Sequence, residues 1–129
     1  MSNQRNIIVI GGGAAGMIAA IAAAKEGCAV SLYEKNEKLG KKIFITGKGR
    51  CNVTNAGDMD ELFAAVITNK KFMFSSFYGF TNEDMMQFLE DAGLRLKTER
   101  GKRVFPLSDH SSDVIAALER TLKKENVKV

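Results

Sequence analysis

The chain of 129 residues lacks the features that mark several classes of protein. Two cysteines, Cys28 and Cys51, are too few for a disulfide scaffold, so we expect a reducing, cytoplasmic compartment. No uninterrupted apolar run approaches the roughly 20 residues that span a bilayer, and the N-terminus does not have the composition of a signal peptide. The lack of a long apolar run leads us to expect no membrane protein. With one histidine, His110, and no Cys-x-x-Cys pair, we also expect no zinc site.

Excess positive charge is absent from most of the chain. The net charge is +4, and all of this surplus lies between Glu34 and Arg50, where six basic residues stand against two acids. A protein that binds nucleic acid usually carries a broad basic face. The distribution therefore argues against nucleic acid as a partner, and it leaves one short basic stretch to be explained.

Proline is nearly absent as well, whereas glycine is concentrated in the first part of the chain. Pro106 is the single proline, and eight of the 12 glycines lie at or before Gly49. Glycine-rich backbone with almost no proline favours loops that approach a ligand closely.

The first 34 residues predict a β-strand, a helix and a second β-strand. N-I-I-V-I at 6–10 is a nearly continuous apolar run, which is typical of a strand buried on both faces of a parallel sheet. A helix of small residues follows over 14–26, Gly27 is its expected end, and A-V-S-L-Y-E at 29–34 is the second strand. We therefore predict an α/β fold, a Rossmann-like parallel sheet with its βαβ core over residues 5–34.

The remaining residues predict one incomplete domain with a helical and β-hairpin insertion. The predicted segments are a basic loop at 35–42, a polar loop at 47–55, helices at 59–67 and from 81 to Gly93, a hairpin at 94–105, a last helix at 111–126 and the start of a third strand at 127–129. Asp58 is expected to cap the first of these helices, and Ser111, Ser112 or Asp113 the last. The helical and hairpin segment thus occupies residues 58–110.

Gly11, Gly13 and Gly16 fit the pattern G-x-G-x-x-G between the predicted strand and helix. Gly11 permits the tight turn, Gly13 lacks the Cβ that would block a pyrophosphate, and Gly16 lets the helix lie close to the sheet. Glu34 lies 18 residues beyond Gly16, near the roughly 20 expected for a carboxylate that accepts hydrogen bonds from ribose hydroxyls. This carboxylate would repel a ribose 2′-phosphate. The pattern therefore predicts dinucleotide binding at the helix N-terminus.

The loop G-K-G-R-C-N-V-T-N at 47–55 leaves several interpretations open. Arg50 can neutralise a pyrophosphate from the side opposite the helix. Cys51 is either a thiol whose pKa is lowered by Arg50 or, as we favour, a small packed residue. The aromatic run at 72–80 can line a substrate pocket, but an aromatic core or a covered surface is favoured. No pair of residues suggests a catalytic acid and base, so the catalytic residues stay unknown.

Six ordered motifs strongly resemble the BaiN/RdsA-type (YhiN-like) FAD-dependent oxidoreductases, and the resemblance covers nearly the whole chain. The motifs are G-G-G-A-A-G-M at 11–17, E-K-N at 34–36, L-G-K-K at 39–42, G-K-G-R-C-N-V-T-N at 47–55, R-V-F-P at 103–106 and S-D-V-I-A-A-L at 112–118. The G-R-C-N-x-T-N loop is the distinctive one, because many flavin and nicotinamide enzymes share the glycine pattern.

The resemblance implies FAD as the cofactor, with NAD(P)H as a possible electron donor and a small molecule as substrate. It implies that Glu34 holds the adenosine ribose. The residues implied at the pyrophosphate are Gly11, Gly13, Ala14, Ala15 and Gly16, and those implied near the rest of the dinucleotide are Lys35, Lys42, Gly49, Arg50, Cys51 and Asn52. Members of this family are longer, so the remainder of a longer chain or another copy is expected to complete the fold. Two alternatives stay open: a dinucleotide-binding fragment without turnover, and an NAD-dependent dehydrogenase domain.

Overall fold

Six α-helices and two small β-sheets make up residues 3–129, the part of the chain that the computed structural model describes. The elements in chain order are β1 (Asn6–Ile10), α1 (Ala14–Lys25), β2 (Ala29–Tyr33), α2 (Lys41–Ile45), β3 (Thr54–Asn55), α3 (Met59–Ala64), α4 (Phe74–Gly79), α5 (Asn82–Asp91), β4 (Leu96–Glu99), β5 (Arg103–Pro106) and α6 (Ser111–Lys124). Short 3-10 turns cover Thr46–Gly49, Lys70–Met73 and Arg100–Lys102.

The first sheet is parallel and has the predicted βαβ connection. β1 pairs with β2 in a register that runs from Asn6 opposite Ala29 to Ile10 opposite Tyr33. Lys128 pairs in parallel with Ser31 on the other side of β2, as the beginning of a third strand. The Rossmann-like α/β fold is therefore confirmed, with the strand order β1, β2 and the segment at Lys128.

One face of this sheet carries the main core of the molecule. α1 packs on both strands and against α6, so two helices lie over the same region. The small side chains of α1 allow this close packing, and its larger residues Met17 and Ile21 are buried between sheet and helix. Val30 and Leu32 meet them from β2, while Leu118 of α6 closes the cluster.

The opposite face of the sheet is open, which corrects the prediction that β1 is buried on both faces. Ile8 is 66% exposed and Ile10 is 79% exposed, and Tyr33, which pairs with Ile10, is 58% exposed. Successive side chains of a strand point to opposite faces, so within β1 Ile7 and Val9 pack against the core and the residues between them face outward. The apolar run was read correctly as a strand, but its composition suggested a second covering layer that residues 3–129 do not supply.

The second sheet is antiparallel and joins the predicted hairpin to the polar loop. β5 lies between β4 and β3, with Thr98 and Thr54 both opposite Val104. The hairpin prediction is confirmed, whereas the pairing of the loop with β5 was not foreseen. Helices α3 and α5 begin with capping boxes at Asp58 and Thr81. Each cap side chain accepts from the backbone N–H three positions on, and the carboxylate at that position accepts from the backbone N–H of the cap residue.

Two local predictions are wrong. The basic loop expected over 35–42 ends early, because Gly40 adopts a left-handed conformation and Lys41 starts the short helix α2. No side-chain cap opens α6, whose N-cap position is His110. Ser111 is instead buried inside the first turn, where its hydroxyl donates to the Phe44 carbonyl of α2 at 2.8 Å. This hydrogen bond ties α6 to α2.

Among the helices of residues 3–129, none combines the length and the apolar character that a membrane crossing requires.

Gly16→Ala should destabilise the fold strongly. A Cβ at Gly16 would fall far inside van der Waals contact with the Gly11 carbonyl oxygen, so α1 would have to move off β1. We expect a loss of about 2–3 kcal/mol in unfolding free energy, measured by urea titration with circular dichroism. Gly79→Ala is the matched control, because Gly79 is also helical and has nothing within 4 Å of its Cβ position. An equal, small effect of both substitutions would contradict the close helix–strand contact.

Candidate functional site

The turn between β1 and α1 exposes the helix N-terminus. Gly11 has a φ of 101°, which an L side chain rarely adopts, and its N–H donates to the Tyr33 carbonyl at 2.7 Å. Gly13 is the N-cap of α1 and supplies no side-chain cap. No atom lies within 4 Å of where its Cβ would be. The helix therefore presents N–H groups toward open space, which is the arrangement that favours an anion.

The Glu34 carboxylate accepts three hydrogen bonds, one from this turn and two from Asn36. Its Oε2 accepts from the Gly12 N–H at 2.7 Å, and its Oε1 accepts from both the backbone N–H and the side-chain Nδ2 of Asn36 at 2.9 Å. The N–H groups of Asn36 and Gly12 hold the pKa of the Glu34 carboxyl below its usual value, because they favour the charged form. A carboxylate therefore stands beside the helix N-terminus, with one lone-pair site left on Oε2 to accept from a ligand's hydroxyl.

A cleft of about 690 Å³ opens between the glycine turn, the end of β2 and α2. Lys35, Lys41 and Lys42 contribute positive charge to its wall, and Glu34 is its one acid. The complete lining is Ile10, Gly11, Gly12, Gly13, Ala14, Tyr33, Glu34, Lys35, Asn36, Lys41, Lys42, Ile43 and Thr46. Such a cleft suits an elongated ligand that carries both phosphates and a hydroxylated sugar.

The cleft brings together half of the residues predicted from the sequence. Its lining includes Gly11, Gly13, Ala14, Glu34, Lys35 and Lys42 but not Ala15, Gly16, Gly49, Arg50, Cys51 or Asn52. Sequence reasoning missed Gly12, Asn36, Lys41 and Thr46. Two of these carried a signal: Gly12 sits within a run of three glycines, and Asn36 belongs to the E-K-N motif. Asparagine shortly after a strand commonly uses its amide to fix the local chain.

Arg50 lies in an ion-pair cluster away from the cleft lining. Its Nε and Nη2 donate to Asp109 Oδ1 at 2.8 and 2.6 Å, and Nη2 also pairs with Glu99. Lys97 pairs with both carboxylates, at 2.7 Å from Asp109 and 3.1 Å from Glu99. The guanidinium carbon also lies 4.1 Å from the ring centre of Phe105. Two cations and two carboxylates balance, so this cluster offers no net charge to an anion.

The carboxyl groups of this cluster are stabilised in their charged forms. Hydrogen bonds from Arg50 and then Lys97 lower the pKa of Glu99, and those from Lys97 and then Arg50 lower the pKa of Asp109. The pKa of Arg50 is raised by the same two carboxylates. A contact between Arg50 and a cofactor stays a prediction, and any such contact would have to share a guanidinium that is already paired.

The other polar residues of the 47–55 loop also bond within the protein. The Asn52 amide, with its nitrogen toward the backbone, donates to the carbonyls of Thr54 at 3.0 Å and Val104 at 3.2 Å. Asn55 accepts from the Gly57 N–H at 2.8 Å and donates to the Gly101 carbonyl at 2.9 Å. These bonds dock the loop onto the hairpin of β4 and β5.

Cys51 is a packed residue of the core in this loop. Only 7% of it is exposed, and burial raises the pKa of its thiol. The thiol is therefore mostly protonated at neutral pH, which argues against the alternative of a thiolate activated by Arg50. The interpretation of Cys51 as a small packed residue fits the structure.

The aromatic run is mostly at the surface and does not line the cleft. Phe63 lies 4.8 Å from Phe74 and 5.1 Å from Phe77, measured between ring centres, and Tyr78 lies 5.4 Å from Phe74. Phe72 projects outward and is 82% exposed. Of the two favoured interpretations, an aromatic core is wrong for residues 3–129, since the rings pack on one another with one side open, while a surface covered by a further domain stays a prediction.

A strand, a glycine turn, a helix with a free N-terminus and a second strand that ends in an anchored carboxylate define a Rossmann-type fold. The family model described as the HI0933-like protein Rossmann domain matches residues 5–129. The chain belongs to this family, and the resemblance inferred from the motifs is confirmed.

Curated relatives match nearly all of the chain but only part of their own length. The 3-dehydro-bile acid delta(4,6)-reductase of Clostridium scindens is 37% identical over 98% of this chain and 31% of that protein. The ribosomal RNA dihydrouridine synthase of Haemophilus influenzae is 27% identical over 100% of this chain and 31% of that protein. The chain thus spans about a third of the length of these relatives.

A solved structure shows the same fold. The crystal structure of Thermovibrio ammonificans THI4 aligns with 98% of this chain and 37% of its own, with a TM-score of 0.64 and 12% identity. At this identity, the likeness concerns the fold alone.

The Arg50 cluster should stabilise the loop more than an exposed ion pair can. We expect a measurable coupling free energy between Arg50→Gln and Asp109→Asn, larger than that of an exposed ion pair, since the guanidinium contacts two carboxylates and a ring and is only one-third exposed. Asp109 has a φ of 62°, which asparagine tolerates, so the second substitution removes charge without backbone strain. Double-mutant cycles by urea unfolding measure the coupling.

Lys102→Gln with Glu61→Gln is the matched control cycle. Lys102 and Glu61 pair at 2.7 Å, but about half of each side chain is exposed, so solvent screens their attraction. Their coupling free energy should be clearly smaller than that of the Arg50 cycle. Equal couplings in the two cycles would show that the Arg50 cluster is an ordinary surface ion pair.

Proposed function

We propose that this chain is the FAD-binding part of a flavoprotein oxidoreductase that acts on a small molecule, with NAD(P)H as a possible electron donor. The observation that carries the proposal is the anchored Glu34 carboxylate beside the uncapped N-terminus of α1, with unfilled space at Gly13. A pyrophosphate and a ribose need these two features at neighbouring positions. The relative from Clostridium scindens is a reductase, which supports the oxidoreductase class for this chain.

The residues present fit a dinucleotide in chemical terms. The N–H groups at the start of α1 would face the pyrophosphate, because the positive end of the helix attracts anions. Glu34 would accept a hydrogen bond from a ribose hydroxyl through the free site on Oε2. Lys35 and Lys42, which line the cleft, would add positive charge along the ligand. The glycine turn and the E-K-N segment are therefore the two family motifs whose residues would contact the ligand in the cleft.

The bound flavin would supply the hydride or electron transfer, and this part of the protein would bind and orient it. The roles of the chain's own residues are thus binding roles. Glu34 sets the position of the ribose, and the start of α1 sets that of the phosphates. A cytoplasmic location and a small-molecule substrate stay predictions.

We propose further that polypeptide beyond residues 1–129 covers the open face of the parallel sheet in the whole protein. The exposed Ile8, Ile10 and Tyr33 form this face, and Ile10 and Tyr33 also line the cleft. The curated relatives, about three times as long as this chain, have the polypeptide that such a cover requires. On this account, residues 1–129 alone bind the dinucleotide without turnover.

FAD should bind the protein and lose affinity when Gly13 is replaced by valine. The added side chain would occupy the space that we assign to the pyrophosphate, so the dissociation constant should rise at least about tenfold. Titration by flavin fluorescence, with NADH titrated in parallel, measures this. Gly79→Val is the matched control, because it fills equally free space far along the chain, and it should leave FAD binding unchanged.

A protein that takes up no FAD, or that binds NADH in preference, would contradict the proposal. The second result would instead favour the NAD-dependent dehydrogenase alternative.

Ile8→Ser should destabilise the full-length protein more than it destabilises residues 1–129. In this chain Ile8 is 66% exposed, so its replacement removes little buried surface. If another segment covers it, the loss should reach about 1–2 kcal/mol, visible as a melting temperature lower by several degrees. Ile67→Ser, at a 96% exposed position, controls for the substitution itself. Equal effects of Ile8→Ser in the long and short proteins would contradict a covering segment.

A further inference from the structure

Asn36 makes two of the three hydrogen bonds that fix the Glu34 carboxylate. Both its backbone N–H and its side-chain Nδ2 donate to Oε1 at 2.9 Å, while Gly12 N–H holds Oε2 at 2.7 Å. The two oxygens are thus anchored from opposite sides. A carboxylate held in this way cannot rotate about its terminal bond without losing at least one charge-assisted hydrogen bond.

The space around the Glu34 side chain is restricted as well. A Cβ at Gly12 would overlap Leu39 Cδ2 and would lie 3.2 Å from the Glu34 Cβ. Glu34 and Leu39 therefore both lie against Gly12, and Glu34 is half-buried. The packing limits where the stem can go, and Asn36 limits how the carboxylate turns.

We propose that Asn36 is a positioning residue that makes this site selective for a dinucleotide whose ribose has a free 2′-hydroxyl. The inference rests on the proposed function, because it assumes that Glu34 faces the adenosine ribose. A hydroxyl can donate to the fixed carboxylate, whereas a 2′-phosphate brings further negative charge against it. Because the carboxylate loses a hydrogen bond when it rotates, it does not readily turn away from the phosphate. The positive charge of Lys35 in the same cleft partly offsets the repulsion.

The backbone contribution of Asn36 survives any substitution, so the amide side chain is the part that can be tested. Asn36→Ala removes one of the three hydrogen bonds on the carboxylate and leaves those from the Gly12 and Asn36 backbone N–H groups, so a turn away from a 2′-phosphate costs less than in the wild type. Asn36→Ser is a second variant, with a side chain too short to reproduce the amide contact. Asn3→Ala is the matched control, because Asn3 is exposed and lies outside the cleft lining.

ADP-ribose and its 2′-phosphate are suitable probes, and calorimetric titration gives the ratio of their dissociation constants. We expect the wild-type protein to prefer ADP-ribose, and Asn36→Ala to reduce this preference about tenfold, as the loss of one hydrogen bond to a charged group allows. Asn3→Ala should keep the wild-type ratio. A purely structural loss would weaken both probes together and leave the ratio unchanged.

The Glu34→Gln background shows whether Asn36 acts through the carboxylate. Without the charge, the preference should be largely lost, and Asn36→Ala should not change it further. An unchanged ratio in both Asn36 variants would overturn the inference, as would an equal change in the Glu34→Gln background. Failure of the wild-type protein to bind either probe would instead overturn the proposed function, and the inference with it.

Discussion

The hydrogen bond from the Gly12 N–H to the Glu34 carboxylate joins the ends of the two parallel strands, and the candidate site depends on it. Glycine at position 12 suits this bond, because a Cβ there would displace the end of the Leu39 side chain and lie 3.2 Å from the Glu34 Cβ. It also requires α1 to lie against the turn, which the missing Cβ of Gly16 allows. Two glycines, Gly12 and Gly16, thus serve one contact in different ways, whereas Gly13 keeps the space in front of the helix free.

The glycine motif at 11–17 and the loop at 47–55 have different roles. The glycine turn and Glu34 direct polar groups into the cleft. The side chains of Arg50, Asn52 and Asn55 instead bond to other parts of the protein, mainly in and next to the hairpin. The local positive surplus is divided accordingly. Lys35 and its neighbours reach the cleft, but the charge of Arg50 is cancelled by two carboxylates. A basic stretch in sequence is therefore not a single basic surface in space.

The local patterns predicted the fold well, because glycine turns, capping boxes and apolar strands depend on nearby residues. The partners of Arg50 lie 49 and 59 residues away, and no spacing rule connects them. The exposure of Ile8 could not be predicted from an apolar run, since such a run does not specify which segment covers the strand. Asn36 was visible as part of a motif, but its role emerged only from its geometry with Glu34.

The central claim is that a dinucleotide binds where the glycine turn meets Glu34, and amide chemical-shift mapping with added FAD tests it most directly. Backbone N–H groups that face a pyrophosphate change their magnetic environment when it binds, so each amide reports on its own position. The account predicts that the largest changes occur at Gly12, Gly13, Ala14 and Asn36. Unchanged signals at these four amides while FAD is bound would contradict it.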